Sequence, residues 1–372
     1  MIYFDYNAST PLCEASKKAI IECLEYYGNP SSIHSVGQAS RKLVESARQA
    51  IANAIGFKAG DILFTSGATE SINTVFHIDA FETILTSEIE HEASLKSIEK
   101  AQEKLSKNIA LIPVLPSGIV DLSALETLLQ QSKSPTLVSV MYVNNETGVI
   151  QPVEEIVKVC RQYDAYFHCD AVQAFGRFPF SFHELDFDYM SISAHKCGGP
   201  KGSGALIKKR DVAYNSYMHG GGQEMSMRGG TQNLIGIVGF GAAVTNAVEQ
   251  LDNFAKIEAL RTKIEDGILG YCPEAQIFGK EAQRVANTIS LMMPAVASQT
   301  QLMRFDMADI AVSAGSACSA GVQKISHVLR SMNVPEEKAS CAIRISLGLN
   351  STESEANIFI EKWKEIYTQL SK

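Results

Sequence analysis

The sequence has 372 residues, of which 45% are hydrophobic and 20% charged, with a formal net charge of −8. This length suits two domains, or one large α/β domain with a smaller partner, and the composition is ordinary for a globular protein. The acidic charge argues against direct nucleic-acid binding and against an anionic membrane surface, and no run of about 18 apolar residues could cross a bilayer. The first residues lack a basic region followed by an apolar run, so we expect no secretory signal and a cytoplasmic location.

Eight cysteines are scattered along the chain without CxxC pairs or zinc-type Cys/His spacing. We therefore predict no metal site and no disulfide framework, and we expect most of these thiols to be reduced and buried. Cys318 differs, because it lies in SAGSACSAG (313–321), a run of small residues with no apolar anchor. Such a segment predicts an exposed, mobile thiol rather than a buried one.

Two helices are predicted before residue 56, separated by the turn GNPSS at 28–32, with the second helix from about 38 to 55. A short apolar strand at 62–64 then leads into Ser66-Gly67-Ala68-Thr69. A helix that begins there would present free backbone N–H groups, which suit a phosphate. The alternative is a plain helix start without a ligand. The sequence contains neither a Walker loop nor a GxGxxG motif after a predicted strand.

Strand-like and helix-like segments alternate through the middle of the chain, with strands at 83–87, 111–114 and 137–143, a strand that ends just before Asp170, a strand at 189–192, and helices from about 92 and 122. This alternation predicts a parallel sheet with crossover helices. A long helix follows at 235–268, then strands at 288–292, 310–313 and 343–347, and a last helix from about 353. We predict a large, doubly wound, mostly parallel α/β domain over 13–250, and a smaller α+β domain from 1–12 and 251–372.

Polar residues follow four of the predicted strands, and the carboxyl ends of parallel strands form one crevice. The residues concerned are His91, Asn145, Asp170 and Lys196. A glycine-rich run follows Lys196 and lets backbone or ligand approach closely. A lysine whose surroundings make it nucleophilic can bond to an aldehyde cofactor, although a surface lysine in a flexible loop is the alternative.

The chemistry of a pyridine cofactor matches this set of residues. Its ring nitrogen needs a carboxylate, offered by Asp170, and its aldehyde needs a lysine, offered by Lys196. Its phosphate needs donors, and its ring a flat neighbour. Thr69, Ser193 and His195 could supply the donors, and His91 could be the neighbour. We therefore predict pyridoxal 5′-phosphate as the cofactor.

Motifs along nearly the whole chain resemble the cysteine desulfurases of the NifS/IscS type, within the class-V aminotransferase-like, fold-type I pyridoxal-phosphate enzymes. They are FDYNASTP (4–11), GNPSSIHSVG (28–37), FTSGATES (64–71), EHEA (90–93), VNNETGV (143–149), HCDAVQ (168–173), SISAHKCGGPKG (191–202), MHGGG (218–222), MRGGTQN (227–233), SAGSACSAG (313–321) and IRISLG (343–348). The resemblance implies a PLP-transferase-like fold.

The resemblance also implies roles for individual residues. Lys196 would carry the cofactor and move protons, Asp170 would pair with the ring nitrogen, and Gln173 would bond the ring oxygen. His91 would stack on the ring and assist catalysis, and Cys318 would be the nucleophile. The remaining implied cofactor-binding residues are Ala68, Thr69, Asn145, Ser193 and His195, together with Thr231 from the other subunit of a homodimer. Asn145 and Arg344 match substrate-binding residues.

The implied reaction converts L-cysteine to L-alanine and leaves a persulfide on Cys318. The sulfur would pass to an acceptor such as an iron–sulfur scaffold protein, for iron–sulfur cluster assembly or tRNA thiolation. Three segments depart from the family pattern: Ala314, residues 322–325 and residues 197–199. The sequence also ends at Lys372, without the tail by which some relatives dock a scaffold protein. These departures leave the acceptor open, and use of selenocysteine stays open too.

Two other functions compete with this one. A class-V aminotransferase or a β-lyase such as a selenocysteine lyase would share the cofactor, but an aminotransferase needs no thiol at Cys318. The second competing function is that of a non-catalytic interaction module that retains the fold. The presence of Lys196, Asp170 and Cys318 argues against it.

Overall fold

The computed structural model describes residues 1–178, 184–209, 211–315 and 325–370. The first half of the chain contains, in order, β1 (Ile2–Tyr3), α1 (Glu14–Cys23), α2 (Ser35–Ile55), β2 (Ile62–Thr65), α3 (Ala68–Phe76), β3 (Thr83–Ser87), α4 (Glu92–Leu105), β4 (Asn108–Ile112), α5 (Leu122–Gln131), β5 (Thr136–Met141), α6 (Val153–Gln162) and β6 (Tyr166–Asp170). The second half contains β7 (Tyr189–Ser193), β8 (Gly204–Lys208), α7 (Leu234–Glu249), α8 (Leu251–Ala255), α9 (Ile257–Leu269), β9 (Gln276–Phe278), β10 (Thr288–Met292), α10 (Ser298–Asp306), β11 (Ile310–Ala311), α11 (His327–Ser331), α12 (Glu336–Ala339), β12 (Ala342–Ser346) and α13 (Glu353–Leu370).

The main sheet has seven strands in the order β2-β8-β7-β6-β5-β3-β4. Strands β3 to β7 pair in parallel, whereas β8 lies antiparallel between β2 and β7. Several strands are buried along their whole length, which explains why their sequences lack a regular alternation of apolar and polar residues. The predicted α/β fold with a mostly parallel sheet is confirmed. The antiparallel strand β8 was not predicted.

Two smaller sheets lie outside the main one. The strands β12, β10 and β9 form an antiparallel sheet, and β1 pairs in parallel with β11. A second hydrophobic core gathers Phe4, Ile264, Phe305, Phe359 and Trp363 around these strands, whereas Val328 and Leu329 pack in the core of the main sheet. We keep the division into 13–250 and 1–12 plus 251–372 as a proposal.

Several predicted elements agree closely with the structure. The strands 83–87 and 288–292 and the last helix from 353 are confirmed. The strand predicted at 111–114 instead spans Asn108–Ile112. The long helix predicted at 235–268 is wrong: it divides into α7, α8 and α9, with the first break at Gln250. Apolar spacing continues across that break, so periodicity alone does not reveal it.

Within the described ranges, no single helix is long and apolar enough to cross a membrane, and only the bent pair Leu234–Glu249 and Leu251–Leu269 meets that criterion jointly.

The described cysteines are all free thiols. Five are buried, as predicted: Cys23, Cys160, Cys169, Cys272 and Cys341. Cys13 and Cys197 are only partly buried, which corrects the expectation for these two, because both line a cavity beside Lys196.

Candidate active site

The carboxyl ends of β5, β6 and β7, together with the start of α4, which follows β3 in the chain, border a cavity of about 530 Å³. Ten of the predicted site residues line it: Ala68, Thr69, His91, Asn145, Asp170, Gln173, Ser193, His195, Lys196 and Arg344. Thr231 is exposed and does not line the cavity of this single chain. Cys318 lies outside the described residues, but Gly315 and His327, on either side of the segment that contains it, both line the cavity.

Lys196 ends a short 3-10 turn, Ala194–Lys196, directly after β7. Its Nζ donates to the backbone carbonyl oxygens of Asn7, at 2.6 Å, and Ala8, at 3.0 Å. Burial, followed by the charges of Arg177 and Arg344, lowers the pKa of Lys196 to about 7. At neutral pH a large fraction of this amine is therefore unprotonated, as a nucleophile or a base requires.

Asp170 is the last residue of β6, and its Oδ1 accepts from the backbone N–H of Val172 at 3.0 Å. Burial raises the pKa of Asp170 to about 6, and the Val172 N–H and Lys196 oppose this shift.

Glu90 is buried nearby, where its Oε1 accepts from Ser87 Oγ at 2.6 Å and from Met141 N at 2.7 Å. Burial, followed by the charge of Asp170, raises the pKa of Glu90 to about 8. At neutral pH Glu90 is mainly protonated and Asp170 mainly charged.

The N-terminus of α3 forms one end of the cavity. Gly67 caps this helix without a side-chain hydrogen bond, so its first N–H groups remain available to an anion. Gly204 packs against the cap so closely that an added Cβ would lie 2.7 Å from Gly67 Cα. His195 and Lys201 line the same cavity. This end is suited to a phosphate.

His91 caps α4, and its Nδ1 accepts from the backbone N–H of Ala93 at 3.0 Å. In the neutral ring the proton therefore lies on Nε2. Desolvation, followed by the charge of Lys196, lowers the pKa of His91, which favours this neutral form. His91 can thus donate one hydrogen bond, through Nε2–H.

Arg344 projects from β12 and connects the smaller sheet to the cavity. Its Nη2 lies 2.8 Å from Asp5 Oδ1, and its Nη1 donates to the backbone carbonyl of Asn145 at 3.1 Å. Three buried polar atoms at the cavity have no hydrogen-bond partner in the described part of the chain: Arg344 Nε, Asn145 Oδ1 and Gln173 Oε1. Unsatisfied buried polar groups are costly, so they indicate a site built for a polar ligand.

These residues fit pyridoxal 5′-phosphate. The cavity combines a lysine of lowered pKa, a buried carboxylate, an unpartnered amide oxygen on Gln173 and a helix N-terminus for phosphate. No group of three or more His, Cys, Asp or Glu side chains that could hold a metal ion occurs among the described residues.

Sequence reasoning assigned no role to Asn7, Asp5, Glu90 and Arg177. Asp5 and Asn7 lie in FDYNASTP and Glu90 in EHEA, so the motifs contained them without showing what they contact. Arg177 had no sequence signal, because a single arginine after a loop resembles a surface residue. Its burial at 3% exposure is a property of the tertiary structure.

The family model described as "Aminotransferase class-V" matches residues 2–359. The chain belongs to the class-V aminotransferase family. Within this family, it is 39% identical to a protein named cysteine desulfurase IscS from Dictyoglomus turgidum, over 99% of this chain and 95% of the relative. It is also similar to the structure of a NifS-like protein from Rickettsia africae, with a TM-score of 0.91, 38% identity and 99% coverage of both chains.

A further solved structure, described as SspA in complex with cysteine, matches with a TM-score of 0.81 and 30% identity. The match covers 93% of this chain and 99% of SspA. These similarities confirm the predicted resemblance to proteins of the NifS/IscS type.

Proposed function

We propose that the protein is a pyridoxal-phosphate-dependent cysteine desulfurase, which converts L-cysteine to L-alanine and forms a persulfide on Cys318. One observation carries this proposal: Lys196, with its pKa lowered to about 7, shares a cavity with Asp170, His91 and Arg344. Relatives over nearly the whole chain bear the name cysteine desulfurase, and a family structure is described as a complex with cysteine.

The cofactor, when bound, supplies an electron sink for the carbanion formed at the substrate Cα. Asp170 would hold its ring nitrogen, Gln173 its ring oxygen, and His91 would lie against the ring. Backbone N–H groups at Ala68 and Thr69, with Ser193 and His195, would hold the phosphate. Lys196 would bond to its aldehyde carbon.

The substrate carboxylate would bind Arg344, whose planar guanidinium suits a carboxylate, together with Asn145. The substrate amino group would take the place of Lys196 at the aldehyde carbon, and the Lys196 amine released by this exchange, in its neutral form, would remove the Cα proton. His91 would donate a hydrogen bond through Nε2–H. The Cys318 thiolate would attack the substrate sulfur as the carbon–sulfur bond breaks. The electron pair of that bond would stay with the substrate carbons, and Cβ and Cα would each take up a proton, so that one molecule of cysteine gives one of alanine and one persulfide.

We further propose a homodimer, in which Thr231 completes the phosphate site of the partner subunit. Exposed apolar side chains near the N-terminus, at Ile21, Tyr27 and Ile33, support an interface. A sulfur-acceptor protein, such as an iron–sulfur scaffold, would then take the persulfide sulfur for cluster assembly or tRNA thiolation. Free thiols throughout the described chain support a cytoplasmic location.

Mass spectrometry after incubation of the cofactor-loaded enzyme with L-cysteine tests the proposal, with alanine assayed in parallel. We expect a reductant-sensitive gain of one sulfur on the peptide that contains Cys318, together with alanine. Cys318→Ala should form no persulfide there, whereas Cys13→Ala should behave as the wild type. Alanine without a persulfide would instead favour a β-lyase. If the enzyme forms neither alanine nor a persulfide, the desulfurase proposal is contradicted.

A further inference from the structure

A second cavity, of about 590 Å³, shares Lys196 with the candidate active site. Arg177 lines this second cavity and is 3% exposed. Arg177 lies in the turn that follows β6, between the strand that ends in Asp170 and the strand that leads to Lys196. The active-site lysine thus has a buried guanidinium among its neighbours.

Arg177 carries its charge without an acidic partner in the described ranges. Its Nη1 donates to Asn7 Oδ1 at 2.5 Å and lies 3.5 Å from Asn287 Oδ1, and no ion pair joins it to a described carboxylate. Burial, followed by the charge of Arg344, lowers the pKa of Arg177 to about 9, so it remains charged at neutral pH. An unpaired buried charge is costly. Because no described carboxylate pairs with Arg177, its positive charge acts undiminished on the neighbouring groups.

Asn7 connects Arg177 to the reactive amine. While its side-chain Oδ1 accepts from Arg177, its backbone carbonyl accepts from Lys196 Nζ at 2.6 Å and from Gln173 Nε2 at 3.0 Å. Its Nδ2 donates to the backbone carbonyl of Asn145 at 3.1 Å. Asn7 is 1% exposed, so this geometry is held by packing on all sides.

We propose that Arg177 is a positioning residue for Lys196: its buried, unpaired charge keeps the Lys196 amine unprotonated, and its bond to Asn7 fixes the carbonyl that orients this amine. The inference rests on the proposed role of Lys196 as the reactive amine. It adds a residue outside the first cavity to the machinery of the reaction.

The electrostatic balance at Lys196 supports this assignment. After burial, Arg177 is the largest cause that lowers the pKa of Lys196, ahead of Arg344, while Asp5 and Asp170 oppose it. Besides Lys196, the titratable and charged groups that line its two cavities are Glu70, His91, Glu92, Glu146, Asp170, His195, Lys201, His327 and Arg344 in the first, and Tyr6, Cys13, Glu14, Lys17, Arg177 and Cys197 in the second. Lys17 and Glu14 pair with one another at 2.6 Å and largely cancel.

Competitive acetylation of the full-length, cofactor-free protein tests the proposal. Labelling with acetic anhydride from about pH 5 to about pH 11 is read at Lys196 by tandem mass spectrometry, and it reports the protonation of this one amine. For the wild type, we expect the midpoint of the Lys196 labelling profile to lie near pH 7. Arg177→Gln should raise the midpoint by about one pH unit. Arg177→Lys, which keeps a positive charge, should restore most of the wild-type profile.

Arg161→Gln is the control, because Arg161 pairs with Asp186 and Asp188 away from both cavities, and its Lys196 profile should match the wild type. If Arg177→Gln loses its fold by circular dichroism, Arg177→Met is read in the same way. An unchanged midpoint in the neutral variants, or a wild-type midpoint near the ordinary lysine value of about 10.4, would overturn the proposal. The labelling uses neither cysteine nor cofactor, so its outcome is independent of whether the enzyme forms alanine and a persulfide.

Discussion

The backbone carbonyl of Asn7 accepts a hydrogen bond from Lys196 Nζ at 2.6 Å, across 189 positions of sequence. The N-terminal segment thus reaches the carboxyl end of the main sheet and orients the Lys196 amine there. Asn7 also bonds Gln173, so one residue positions two groups predicted to contact the cofactor. Placement of the N-terminal segment is therefore part of the formation of the candidate site.

Cofactor binding should depend on the charge of Asp170. Because burial raises the pKa of Asp170 to about 6, its charged form dominates above this pH and is lost as the pH falls through it. We expect the dissociation constant for pyridoxal 5′-phosphate to rise by up to about tenfold per pH unit below about pH 6. A spectroscopic titration of the cofactor-free protein measures this.

Asp170→Asn is the comparison for that titration, since it removes the ionising group and keeps the shape. It should bind the cofactor weakly at every pH and lack the step near pH 6. A step of the same size in Asp170→Asn would show that another group causes it.

Glu90 should make the protein less stable at high pH. Burial raises the pKa of Glu90 from an ordinary 4.5 to about 8, so the folded state holds a proton that the unfolded state releases. Protonated Glu90 makes its full contribution to the free energy of unfolding below the pKa that Glu90 has in the unfolded state. This contribution is lost as the pH rises towards about 8, by at most about 1.4 kcal/mol per pH unit. Urea unfolding of the wild type and of Glu90→Gln, measured at several pH values between 4.5 and about 8, tests this pH dependence.

The glutamine variant keeps an oxygen for Ser87 and Met141 but cannot ionise. We therefore expect its free energy of unfolding to fall less steeply with pH than that of the wild type. Glu146 and other buried groups titrate in both proteins, so only the difference in slope is informative. Equal slopes would show that Glu90 is not protonated in the folded state.

Arg344→Lys should weaken substrate binding. Lysine keeps the charge but loses the planar fork that suits a carboxylate, and a charge-assisted hydrogen bond contributes about 1.5–3 kcal/mol. We expect KM for cysteine to rise by about 10-fold to 100-fold, with a smaller change in kcat. Arg284→Lys is the matched control, because Arg284 is equally buried but pairs with Glu265 and does not line the cavity. An unchanged KM in Arg344→Lys would remove Arg344 from the substrate site.

Gly204→Ala should distort the phosphate end of the cavity. The added Cβ would lie 2.7 Å from Gly67 Cα and 2.9 Å from the Ile192 carbonyl oxygen, and backbone atoms there cannot move cheaply. We expect a loss of about 1–3 kcal/mol in the free energy of unfolding, together with weaker cofactor binding because Gly67 caps α3. Gly60→Ala, which would contact nothing within 4 Å, should change stability by less than about 0.5 kcal/mol. Equal effects in the two variants would contradict this account.

Sequence patterns predict the fold class, and together with the family resemblance they predict ten of the residues that line the cavity. Alternating apolar strands and helices predicted a parallel sheet, and His91, Asp170 and Lys196 were assigned to one crevice because each follows a predicted strand. These signals are local: a strand end, a turn and a glycine run can be recognised within about ten residues. The role of Cys318 still depends on the sequence and on the resemblance, since this residue lies outside the described ranges.

The surroundings of Lys196, Asp170 and Glu90 follow only from the tertiary structure. The contacts of Asn7 with Lys196 and Arg177, the burial of Glu90 near Asp170, and the division of the helix at 235–268 leave no periodic pattern in the sequence. A pKa shift arises from burial and from charges that lie close in space, and both depend on packing between segments far apart in the chain. Local sequence therefore predicts where chemistry is placed, whereas the packing of distant segments sets the protonation of the groups that perform it.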